Sequence, residues 1–156
     1  MGVTRITKGR VAVGAVDQDG LSVRVLRIPL RATTVGLVPV STGKKIPGGS
    51  VILNAYVKTA TGASAATVGA SLLNVGTTAA TVGFLTSLNI ATAGVKLGSL
   101  ASAVAVTFGT LLQETTSAGP VQKPAVVDAD TEIAYATLAP SPNLNGDLFI
   151  EYRKLG

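Results

Sequence analysis

Short apolar runs separated by Gly, Pro, Asn and Asp recur along this chain, and the clearest of them alternate with a period of two, the spacing of a half-buried strand. Ser50 to Thr59 is the cleanest case, with Val51, Leu53, Ala55 and Val57 on one face and Asn54, Tyr56 and Lys58 on the other. Leu148, Ile150 and Tyr152 alternate in the same way with Phe149, Glu151 and Arg153, and Thr131 to Leu138 forms a further strand. Val11 to Val16 and Leu21 to Leu30 read as a strand pair around Asp17-Gln18-Asp19-Gly20, whose Asp-Gly suits a tight hairpin. The polar positions Ser22, Arg24 and Arg27 change parity near Val25-Leu26, which predicts a β-bulge there. Thr33 to Val40 is another apolar run, closed by a turn-rich stretch from Ser41 to Gly49. The middle of the chain carries short segments at Ala66 to Leu73, Leu88 to Ala91, Val95 to Leu97 and Val104 to Phe108, and Glu114 to Asp130 reads as a long surface loop. The expected fold is all-β, a single-domain β-sandwich or jelly-roll-like domain over residues 11–156, preceded by a short basic N-terminal arm at residues 1–10.

Composition narrows what such a domain can do. The chain of 156 residues has no His and no Cys, so it lacks the side chains that most often serve nucleophilic, acid-base and transition-metal chemistry near neutral pH. A protein that binds and builds is expected, not an enzyme, and no cofactor or metal is expected. Between Ala60 and Leu112 the single charge is Lys96, yet Gly, Ser, Thr and Asn interrupt every apolar stretch below the ~18 residues of a spanning helix, so no membrane association is expected. Residues 1–20 hold no apolar stretch of signal-peptide length and no Asn sits in a glycosylation sequon, so secretory export is not indicated.

Charge is unevenly placed. Through Lys58 there are nine basic residues against two acidic, and after it four basic against six acidic. A basic N-terminal third suits an acidic partner surface, with Arg5, Lys8 and Arg10 of the arm as the candidate partner-binding residues. Nucleic acid is not the expected partner, because the chain has no Trp, six Phe and Tyr in all, and no interleaving of aromatic and basic residues. Three other clusters invite chemical readings. Asp128, Asp130 and Glu132 would share one side of an extended chain and could hold a hard cation, but a solvated strand entrance is the expected reading. Asp17 and Asp19 lack the rest of a calcium loop, and Gly43-Lys44 lacks both the first Gly and the Ser or Thr of a phosphate loop.

The order of Ile46-Pro47-Gly48-Gly49-Ser50-Val51-Ile52, Gly83-Phe84-Leu85, Ala91-Thr92-Ala93-Gly94-Val95 and Gly146-Asp147-Leu148-Phe149-Ile150-Glu151-Tyr152, around a Thr/Ala/Gly-rich centre, resembles the decoration or cement proteins of tailed bacteriophage heads. The resemblance covers roughly residues 40–156. It implies a β-sandwich assembled as a homotrimer, bound to the major capsid protein on the outer surface of the virion and stabilising the shell, and it carries no residue-level site. A β-sandwich adhesion or carbohydrate-binding module, or a tail or fibre component of a phage particle, is the alternative. A sugar-binding module would need surface aromatics, which are scarce here.

Overall fold

The computed structural model describes residues 22–61, 71–100 and 107–156. Within them the chain forms eleven strands: β1 (Arg24–Leu30), β2 (Val40–Ile46), β3 (Ser50–Thr61), β4 (Leu72–Thr77), β5 (Leu85–Asn89), β6 (Gly94–Leu97), β7 (Gln113–Thr116), β8 (Gly119–Gln122), β9 (Ala125–Val127), β10 (Thr131–Thr137) and β11 (Asn145–Lys154). All pairings are antiparallel. The larger sheet runs β1-β11-β3-β6, with β9 on the other half of the long strand β3, and the smaller runs β2-β10-β4-β5; β7 and β8 form a separate hairpin. Ile28, Ile52, Val57, Leu148 and Ile150 of the larger sheet pack with Leu73, Val75, Ile133 and Tyr135 of the smaller in one buried core. The domain is therefore an all-β sandwich, and its stability rests on burying the inner faces of two sheets.

The half-buried strand expected from residue 50 is present, but its parity is not the expected one. Across β3 and β11, Asn54 faces Glu151 while Ile52 faces Tyr152, so Leu53 is an extra residue and the alternation reverses there. Ile52, Ala55 and Val57 are fully buried, whereas Val51 and Leu53 are only partly so. The bulge expected at Val25-Leu26 is absent: β1 pairs with β11 in unbroken register from Arg24 to Leu30, with Leu26, Ile28 and Leu30 turned inward. Arg24 shares that inward parity but is exposed, because it lies where the sandwich ends. The expected hairpin to Val11–Val16, the arm at 1–10 and the segment 66–70 lie outside the described residues.

Polarity misleads in two further places. The stretch expected as turn-rich from Ser41 to Gly49 holds most of strand β2 (Val40–Ile46), because an edge strand beside β10 can carry Ser, Thr, Gly and Lys towards solvent. The apolar run before it is no strand: Val35, Leu37 and Val38 are exposed, Leu37 adopts a left-handed φ of 62°, and its amide donates to the Thr137 carbonyl at 2.7 Å. The expected loop from Glu114 to Asp130 contains the hairpin β7-β8 and the short strand β9. Pairing with strands distant in sequence settles β2 and β9, whereas β7 and β8 pair with each other across a short turn, and strands of three or four residues show little periodicity.

Candidate functional site

Two surfaces of the sandwich stand out, the outer face of the larger sheet and the side where its edge strand β1 lies beside β2.

On the outer face, cross-strand partners fall into rows. Arg27, Phe149, Tyr56 and Leu97 oppose one another across β1, β11, β3 and β6, and Pro29, Asp147, Lys58 and Val95 form the next row. Phe149 and Tyr56 stack with ring centroids 5.0 Å apart and planes 13° from parallel. The rings lie nearly parallel, so each covers one face of the other. Of the other four aromatics, Phe84, Phe108 and Tyr135 are buried in the core and Tyr152 packs against it, partly buried.

Strand β6 has inverted polarity. Val95 and Leu97 face outward and are 58% and 62% exposed, while Lys96, opposite the buried Val57, lies on the inner side and donates from Nζ to the Thr92 hydroxyl at 2.7 Å. An inward-pointing lysine on an edge strand discourages further strand addition, and two outward apolar side chains favour contact through the sheet face instead. Val25 on β1 and Val126 on β9, opposite Val51, extend the apolar content to both sides of the face. Charge is interspersed: Arg27 donates to Asp147 at 2.8 Å, and that hydrogen bond, followed by the Asp147 charge, raises the Arg27 pKa above its ordinary range. A surface of this mixed kind, with apolar side chains among paired charges, fits a protein-protein contact better than a ligand pocket.

The other surface is a cleft of about 350 Å³ between β1 and β2, lined by Ile28, Pro29, Arg31, Ser41, Lys44 and Tyr135 among others. Buried Tyr135 accepts the Arg31 amide on its hydroxyl at 3.0 Å, tying β10 of one sheet to the exit of β1 in the other.

Of the residues singled out in the sequence, Arg5, Lys8 and Arg10 lie outside the described residues, as do Asp17 and Asp19. The structure does not gather Asp128, Asp130 and Glu132 into one site. Asp130 accepts the Gly48 amide at 2.9 Å, and Glu132 accepts the Gly43 amide and the Ser41 hydroxyl, so these carboxylates tie the ends of β2 to β10. Among the described residues no group of three acidic side chains could hold a metal ion, and no helix is long and apolar enough to cross a membrane. Gly43-Lys44 lies within strand β2 and not in a loop opening a helix, as a phosphate loop would. The segment expected at Val95 to Leu97 is strand β6, but its inverted polarity escaped sequence reasoning, although its signal, a single Lys between two large apolar residues at strand spacing, is written in Val95-Lys96-Leu97.

No family model matches the sequence, and no curated protein matches it. Among solved structures, the chain is similar to one from the Cyanophage Pam1 capsid asymmetric unit, at 13% identity and a TM-score of 0.50, over 85% of this chain and 84% of that one. The likeness is one of fold.

Proposed function

We propose that this chain is a non-enzymatic structural protein of a phage particle, a decoration or cement protein that sits on the outer surface of the head, contacts the major capsid protein and its own copies as a homotrimer, and stabilises the shell. The observation that carries this reading is the outward apolar and aromatic face of the larger sheet, from Val25 through Phe149 and Tyr56 to Leu97. Such a face is costly to leave in water, and in a symmetric array even weak contacts through it are multiplied by valency. The likeness in fold to a chain from a phage capsid asymmetric unit supports the same reading, as does the resemblance in sequence to head decoration proteins. Arg5, Lys8 and Arg10 are proposed to lie along an acidic shell surface.

The carbohydrate-binding alternative needs an open aromatic face, and the Tyr56–Phe149 stack uses each ring's inner face on the other. Electron cryo-microscopy of the particle carrying the protein tests the proposal: density for the sandwich is expected outside the shell, at a three-fold position. Density in the tail or inside the shell, or specific binding of the isolated protein to glycans, would overturn it.

A further inference from the structure

The sandwich is open along one side, where β1 ends the larger sheet and β2 ends the smaller. Among the described residues neither strand has a partner on its outer edge, so both present backbone hydrogen-bonding groups that another extended chain could satisfy, except that Pro29 of β1 has no amide hydrogen and the Arg31 amide is taken by the Tyr135 hydroxyl. Between them lies the cleft described above. Its two cations come from opposite sheets, Arg31 from the exit of β1 and Lys44 from β2, and both are exposed.

The position of Lys44 has a local cause. Between Glu132 and Ala134 the β2-β10 register shifts, so that Thr42, Gly43 and Lys44 together oppose Ile133. Gly43 adopts φ 65° in this bulge, and the Glu132 carboxylate holds its amide at 3.2 Å. Bulges re-aim side chains, and here Lys44 joins the lining of the cleft. Two neighbouring cations have acidic residues beside them. Arg27 is paired with Asp147, and Lys45 lies opposite Glu132. Among the described residues Arg31 and Lys44 make no ion pair, and they stand beside two hydroxyl side chains, Thr42 and Ser41, the second of which donates to Glu132.

We infer that this open side is a docking site for an extended, acidic polypeptide segment of a partner protein, which adds along the edge of β1 and places a carboxylate between Arg31 and Lys44. Charge complementarity selects the acidic side chain, and the strand edge selects a polypeptide over other polyanions. Nucleic acid fits poorly, because the aromatic ring at the cleft, Tyr135, is 2% exposed with its hydroxyl engaged by the Arg31 backbone, leaving no face for a base. The inference goes beyond the proposed function by naming the chemistry of the partner, and it stands whether or not that partner is a shell protein.

Fluorescence anisotropy of the full chain with a labelled ten-residue peptide of alternating Glu and Val tests it, with an alternating Lys and Val peptide and a single-stranded oligothymidine of similar length as comparisons. Binding of the acidic peptide alone is expected, weakened on the order of tenfold by either Arg31→Ala or Lys44→Ala and more by both together, and weakened again by raised salt. Both positions are exposed, so these variants should keep the parent melting temperature; Arg31→Lys, which keeps the charge, should retain most of the binding. No binding by a variant-sensitive route, equal binding of the basic peptide, or binding of the oligonucleotide as tightly as the peptide would overturn the inference. So would peptide binding that emerges only after residues 1–21 are deleted, since the edge would then be occupied by the chain's own N-terminal segment.

Discussion

The carboxylate of Glu132 on β10 accepts the backbone amide of Gly43 on β2, 89 residues away, at 3.2 Å. The same carboxylate accepts the Ser41 hydroxyl, so one exposed side chain braces the bulge of an edge strand. The Ser41 hydroxyl chiefly, then the Gly43 amide and more weakly the Lys45 charge, hold the Glu132 carboxyl below its ordinary 4.5 against a small opposing effect of desolvation.

A depressed carboxyl stabilises the fold in full only where it is ionised in both the folded and the unfolded state. The contribution of Glu132 is therefore expected in full above about pH 4.5, the unfolded value, and it should fade as pH falls through the lower folded value. Chemical denaturation from pH 7 to pH 2.5 should show the parent chain losing stability over that interval. Glu132→Gln should lose less, and unchanged curves for the two proteins would show that the brace contributes nothing.

The bulge at Leu53 makes a sharp prediction about two adjacent residues. Ile52 is fully buried, so Ile52→Ala should cost ~2 to 5 kcal/mol through lost burial and the cavity left behind. Val51, on the outer side, should cost about 1 kcal/mol or less when changed to Ala. Urea midpoints at constant m-value decide the matter, and the reverse order would restore simple alternation from Val51 through Val57.

Tyr135 offers a test of how the two sheets are joined. Removing its hydroxyl leaves the Arg31 amide without that acceptor, so Tyr135→Phe should cost ~1 to 3 kcal/mol although the ring still fills the core. Thermal unfolding followed by calorimetry would register it, and a neutral substitution would mean that water replaces the bond.

Gly76 on β4 faces the turn that leads to β5 so closely that a Cβ there would lie 1.9 Å from the Ala80 carbonyl oxygen. Backbone, unlike a flexible side chain, cannot swing aside. Gly76→Ala is therefore expected to destabilise the domain by ~1 to 3 kcal/mol, readable as a fall in the urea midpoint.

The outer face is addressed by Leu97→Lys. Because Leu97 is exposed, the monomer's folding should be unaffected, while a trimer built through this face should dissociate at micromolar concentration. Native mass spectrometry of the parent and the variant compares the two directly; a parent that is monomeric off the particle shifts the test to retention on particles, where the variant should be released first.

Sequence alone determined the class of the domain. Period-two alternation in β11 and in the second half of β3, together with short apolar runs between frequent turn residues, suffices for an all-β domain, because burial of one sheet face writes itself directly into the order of side chains. Tertiary structure decided which face each residue serves. One extra residue at Leu53 reverses every inward position before it, and only the register against β11 reveals it. Strand β2 was illegible because an edge strand needs little hydrophobicity when a neighbour supplies its hydrogen bonds, and the run from Thr33 to Val40 misled because a left-handed Leu37 turns the chain out of any sheet. The two candidate surfaces were hidden for the same reason. The row from Arg27 to Leu97 and the cleft between Arg31 and Lys44 each join residues from distant strands, and the long-range pairing that brings them together leaves no trace in local sequence.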